Sequence, residues 1–173
     1  MNAPFTIEEL QQAHAEWGCN CGPATLAFAA RLPLQGARHA IRGFDSKRYT
    51  SPTMMKDALT FLGVGYEPMR GDLFEAMFDG RVALTRVQWT GPWTKPGANP
   101  RWAYGYTHWI ATWLEGPAVE GGVPLVFDVN FGITSFLDWD SEGVRVLTRG
   151  IARADGGWRP THVWRISKSG AAE

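Results

Sequence analysis

The sequence predicts an α+β fold in one domain, with a helical part over about 1–80 and an antiparallel sheet over about 81–167. Three observations lead there. Apolar residues recur at helical spacing in the first half, they alternate with polar ones in the second, and no internal repeat interrupts that order. At 173 residues, 45% hydrophobic and 20% charged, the chain is long enough for one substantial core.

Each element has a local reason. Thr6 and Glu9 form a capping box ahead of Ile7, Leu10 and Ala13, which predicts a helix over 7–16 that breaks at Trp17-Gly18. A second helix begins at Asn20-Cys21-Gly22-Pro23-Ala24. Pro23 suits a first turn, where a missing N–H costs nothing, and Ala24 and Leu26 to Ala30 continue with good helix formers and an apolar face. This helix is expected to be buried and to end near Arg31-Leu32-Pro33, because a proline disfavours helix in the residue before it. Ser51 caps a third helix, with Pro52 at its first position and Met54, Met55, Ala58, Leu59 and Leu62 as a stripe ending at Gly63. Asp72 can cap one or two further turns through Phe78. Strands are then expected over Val82 to Trp89, Tyr106 to Leu114, Val123 to Val129, Val144 to Leu147 and His162 to Ile166, separated by Gly, Asp and Pro clusters. Thr90 to Trp102, rich in Gly and Pro, reads as an extended loop, and Ser167 to Glu173 as a fraying end.

Charge and targeting signals narrow the function. Seventeen basic residues balance seventeen acidic ones, so no basic excess points to nucleic acid. No apolar run approaches the roughly 20 residues of a membrane span, and the N-terminus lacks the basic and apolar regions of a signal peptide. Cys19 and Cys21 are the only cysteines, and a disulfide across one residue would be strained, so free thiols in a reducing compartment are expected. The expected location is cytoplasmic; an effector or phage-encoded protein delivered without a signal peptide is compatible with the same features.

The chemistry concentrates in three segments. Cys21 stands where a helix begins, and the unpaired, partly positive N–H groups of a first turn favour a thiolate. His108 lies on the strand Thr107-His108-Trp109-Ile110, and Asp128 ends the next in Val126-Phe127-Asp128. A thiol, an imidazole to take its proton and a carboxylate to orient the imidazole make a catalytic triad. Among the other histidines, His162 has no convincing carboxylate strand after it, and His14 and His39 precede the sheet. Asn130 would point to the same face as Asp128 and could substitute for it. Cys19 falls before the helix, where the dipole acts less, and reads as a structural or redox-sensitive thiol.

In the order Cys, His, Asp the chain resembles the papain-like cysteine peptidase superfamily, and within it the C39-like peptidases, over residues 12 to 148. Asn20-Cys21-Gly22-Pro23-Ala24 matches the first motif of that group, Thr107-His108-Trp109-Ile110 the second and Val126-Phe127-Asp128 the third, with Val129 where the relatives usually carry proline. The resemblance implies a papain-like fold, its N-terminal nucleophile helix packed on a C-terminal antiparallel sheet, and a cysteine hydrolase that cleaves an amide or peptide bond through a thioester. It also implies an oxyanion donor before the nucleophile, for which Gln12, Asn20 and Trp17 are the candidates. Trp93 and Trp102, on the loop running into the His108 strand, and Trp109 beside His108 are candidate substrate contacts.

The expected partner is a peptide or protein substrate, with no nucleic acid, no membrane and the oligomeric state open. No cofactor is expected. No metal is expected either, since His14, Cys19 and Cys21 have no second cluster to join, and Gly63-Val64-Gly65 lacks the third glycine of a phosphate loop. Two alternatives remain beside the hydrolase: a catalytically inactive papain-like module that holds a peptide, and a deamidase or acyltransferase using the same triad.

Overall fold

A computed structural model describes residues 2–116, 121–140 and 157–167. The helices are α1 (Ile7–Trp17), α2 (Cys21–Ala30), α3 (Leu34–Ala40), α4 (Phe44–Lys47), α5 (Pro52–Phe61), α6 (Leu73–Ala76) and α7 (Pro100–Tyr104). The strands are β1 (Tyr66–Pro68), β2 (Ala83–Trp89), β3 (Thr107–Glu115), β4 (Val123–Phe127), β5 (Leu137–Asp138) and β6 (Trp158–Ile166). The strands form one antiparallel sheet in the order β1-β6-β2-β3-β4-β5. The class is α+β.

Local chemistry sets most of the boundaries. The Thr6–Glu9 capping box starts α1, which ends on left-handed Gly18 (φ 71°). Ser51 accepts from the Met54 N–H at the start of α5, and Asp72 accepts from the N–H groups of Phe74 and Glu75 to start α6. Helix α2 is apolar on all sides, with every residue from Gly22 to Phe28 buried, as a helix sandwiched inside the protein requires.

Besides β5, which the sequence does not predict, and the start of β6 at Trp158 instead of His162, four features depart from the expected elements. Strand β1 lies within the part expected to be helical: three residues show too little alternation to read, and β1 exists because Tyr66 to Pro68 pair with Ile166 to Trp164. Helices α3 and α4 fill a stretch given no structure. The expected loop contains a 3₁₀ turn at Pro92–Thr94 as well as α7. Strand β4 ends at Phe127, and Val129–Phe131 form a 3₁₀ turn. The expected strand Val144 to Leu147 lies outside the described residues.

Both faces of the sheet are covered. Leu84, Trp109, Ala111, Phe127 and Trp164 share one face with α2 and the other N-terminal helices. Ala83, Val87, Ile110, Val126 and Val163 face the other way, against Met77, Trp93 and Trp139. One core was expected; two apolar layers lie back to back across the sheet.

One irregularity positions the site. Pairing of β3 with β4 stops at Ala111–Phe127, whereas pairing of β3 with β2 runs on to Thr107–Gln88. Residues 107–110 of β3 therefore have strand neighbours on one side only. Helix α2 fills that open edge: the Thr25 hydroxyl donates to the Trp109 carbonyl at 3.1 Å, and the Trp109 N–H is directed at the Cys21 sulfur.

Candidate active site

The imidazole and carboxylate come together at the point where β4 leaves β3. Asp128 continues the register of β4, so its side chain falls on the same face as His108. His108 Nε2 lies 2.7 Å from Asp128 Oδ1, with the two side chains 6% and 1% exposed. The same Oδ1 accepts the backbone N–H of Asn130 at 2.8 Å, which fixes the carboxylate. Asn130 also reaches His108 Nε2 with its amide at 3.2 Å. A protonated Nε2 can serve both groups only if Asn130 turns its amide oxygen towards it. All of these bonds use Nε2, which leaves Nδ1 of His108 to accept another proton.

Burial works against a charged His108, but the charge and hydrogen bond of Asp128, with help from the Cys19 sulfur, outweigh it and hold the imidazole above its ordinary value. Trp89 packs against the ring, with centroids 5.7 Å apart.

Cys21 is the first residue of α2, and its sulfur contacts that of Cys19 at 3.9 Å. Both thiols are half-buried. The pair shares its protons unequally. Cys19 is drawn down to about 6, chiefly by the hydrogen bond from the Cys21 thiol, against burial and with help from the Cys21 N–H and the charges of His108 and His14. Cys21 is correspondingly held well above the ordinary thiol value by that bond, by burial and by the Cys19 and Asp128 charges, with the Trp109 N–H opposing. The Cys19 side chain folds back over the helix start, where the Cys21 N–H meets it.

Thr50 occupies the space beside Gly22, the residue after Cys21: a Cβ there would lie 2.1 Å from Thr50 Oγ1. Thr50 is held in turn by Trp109, whose indole N–H donates to the Thr50 carbonyl at 2.8 Å.

The expected oxyanion donors are placed as follows. Gln12 is on the exposed side of α1, where its amide donates to Glu16 at 2.8 Å. Asn20 is buried, and its amide donates to the Leu10 carbonyl at 3.2 Å instead of capping α2. Trp17 is 2% exposed, packed against Phe44 and Arg38, with its indole nitrogen sealed and unpartnered. None of the three is turned towards Cys21. The first turn of α2 has no side-chain cap on its backbone N–H groups, that of Gly22 included. Gln11 and His14 of α1, beside Asn20 and Asn130, line a groove of about 320 Å³. Gln11, not Gln12, is the glutamine of α1 that lines this groove. The phase set by Leu10, Ala13 and Trp17 turns 11 and 14 towards the groove and 12 away from it.

Of the aromatic candidates, Trp109 is a core side chain at 2% exposure, its ring tilted against Trp164 with centroids 5.4 Å apart. Trp93 is buried too: its indole donates to the Trp89 carbonyl at 2.8 Å, and its ring stacks on Tyr106 at 3.5 Å. Trp102 is 65% exposed and, with Trp93, Pro92 and Tyr106, lines a cavity of about 450 Å³.

Comparison with protein-family models, curated proteins and solved structures finds no match to this chain. The assignment of function rests on the residues themselves. Among the described residues no group of three or more His, Cys, Asp or Glu side chains is placed to hold a metal ion, and no helix is long and apolar enough to cross a membrane.

Proposed function

We propose that this protein is a cysteine hydrolase that cleaves an amide or peptide bond, in a papain-like arrangement most similar to the C39-like peptidases. One observation carries the reading: the buried His108–Asp128 pair at 2.7 Å commits Nε2 and leaves Nδ1 for a thiol proton, beside a helix that starts with cysteine. A histidine buried merely for packing has no need of a carboxylate fixed by a second hydrogen bond from Asn130.

The Cys21 sulfur attacks the carbonyl carbon while its proton passes to His108 Nδ1, and Asp128 stabilises the imidazolium. The developing oxyanion faces the N–H groups at the start of α2, a donor set worth about 100-fold or more in rate per hydrogen bond. His108 then protonates the leaving amine. Water, deprotonated by the same imidazole, hydrolyses the thioester and returns the thiol.

A second assignment of the nucleophile has its own support, because Cys19 is the thiol drawn down to about 6. A peptidyl chloromethyl ketone with mass-spectrometric peptide mapping separates the two. Labelling that survives Cys19→Ser and is lost in Cys21→Ser supports Cys21; the reverse supports Cys19. Within the Cys19→Ser protein, alkylation of Cys21 by iodoacetamide well below pH 8 is expected to be abolished by His108→Ala. Slow alkylation indifferent to His108 would instead favour a catalytically inactive peptide-binding module.

A further inference from the structure

We infer that Arg86 forms a carboxylate-binding subsite next to the Cys21 end of α2, so that the preferred acyl donor carries a negative charge close to the bond that is cleaved. The inference rests on Cys21 as the proposed nucleophile and adds to it the charge of the substrate.

Arg86 sits in the middle of β2 and is 6% exposed. Guanidinium groups at that depth are ordinarily paired with a carboxylate, since an isolated buried charge is among the least favourable arrangements in a protein. Among the described residues Arg86 has no such partner. One terminal nitrogen donates to the Thr161 hydroxyl at 3.2 Å, the guanidinium carbon lies 5.6 Å from the centre of the Tyr104 ring, and Nε is sealed without an acceptor. The remaining nitrogen is neither hydrogen-bonded nor sealed, so it is the one that reaches solvent. A ring and a hydroxyl hold the group in place without neutralising it.

The strand geometry is built around this side chain. The register of β2 on β6 shifts between Arg86 and Val87, so Thr161 is the extra residue of a β-bulge. Its hydroxyl donates to the Arg86 carbonyl at 3.1 Å while accepting from the guanidinium, which locks the arginine from both ends. Bulges of this kind re-aim side chains beside functional sites. On its other side Arg86 pairs directly with Trp109, the residue whose backbone borders Cys21 and Thr25. Cross-strand partners project on the same face, here the face covered by α2. His162, the partner on β6, is held below its ordinary value by burial and by the Arg86 charge, so it does not supply a second cation at neutral pH. The result is one fixed positive charge with an accessible nitrogen, near the reactive thiol and lacking a counter-ion. A carboxylate is the group a planar guanidinium fits best.

The test uses two alkylating reagents that differ in charge, iodoacetate and iodoacetamide, on the Cys19→Ser protein so that only Cys21 reacts. The ratio of their rate constants at Cys21 is expected to fall about fivefold in Arg86→Gln, the size of one unit charge acting through partly wet protein. Arg86→Lys, which keeps the charge, is expected to restore much of the ratio. In the Cys19→Ser protein itself the ratio is expected to fall as ionic strength rises, which reads the same charge without a change at Arg86. A ratio unchanged in both Arg86 variants and indifferent to salt overturns the subsite. The His108→Ala comparison with iodoacetamide alone reports on the nucleophile, so the two ideas fail separately. Protection of Cys21 by acetyl-glutamate amide against acetyl-diglycine distinguishes a side-chain carboxylate from a chain terminus. The better protector, provided Arg86→Gln removes its effect, identifies the source.

Discussion

His108 is 5% exposed, and burial by itself would drive its imidazole towards the neutral form. Asp128 reverses that tendency through charge and a hydrogen bond at 2.7 Å. In Asp128→Asn the side-chain volume is kept and the charge is lost, so the His108 pKa is expected to drop below the ordinary histidine value; NMR titration of the ring measures it. The thiol pair gives a second residue-level prediction. Cys19 is drawn to about 6 mainly by a hydrogen bond that Cys21 donates. Removing the donor in Cys21→Ala should move the midpoint of Cys19 alkylation up towards the free-thiol value of about 8.5. Gly22 supplies a third. A methyl group at this position would run into the buried Thr50 Oγ1, and Thr50 is itself held through its carbonyl by the Trp109 indole, so Gly22→Ala is expected to lower stability by about 1–3 kcal/mol in urea unfolding.

At the scale of elements, the junction of α2 with the open edge of β3 matters most. Thr25, one turn after Cys21, satisfies a Trp109 carbonyl that no strand reaches. Thr25→Val keeps the shape and removes the donor, leaving a buried acceptor unpaired at a cost of about 1–3 kcal/mol. Chemical denaturation checks that figure, and slower alkylation of Cys21 is expected alongside it because the same contact seats the start of α2 on the edge of β3. Helix α2 was legible in the sequence because Pro23 and the alanines that follow are local signals. Its partner edge was not, since the early end of β4 depends on Asp128 and Asn130 turning the chain into a 3₁₀ turn. Strand β1 was hidden for a related reason: its pairing partner lies about a hundred residues away along the chain.

Across the whole molecule, two apolar layers share one sheet. Phe28 of α2 stacks on Phe127 with ring centroids 4.2 Å apart in the first layer, and Phe78 packs against Trp139 at 5.2 Å in the second. Because β2 and β3 contribute alternate residues to both layers, the layers should unfold together. Met55→Ala and Met77→Ala, each at a fully buried position on opposite faces, are expected to lower one common transition by about 2–5 kcal/mol apiece. Separate transitions by calorimetry would show that the layers are independent.

The amino-acid sequence by itself determined the α+β class, the capped starts of α1, α5 and α6, and the three segments bearing Cys21, His108 and Asp128, because caps, periodicity and short motifs act over a few residues. Only the tertiary structure decided that Asp128 meets His108 at hydrogen-bonding distance, that Cys19 shares a proton with Cys21, that Trp109 belongs to the core, and that Gln11 rather than Gln12 lines the groove. Those outcomes depend on the register between strands, the phase of a helix and the contact of groups far apart in the chain. No local rule encodes any of the three.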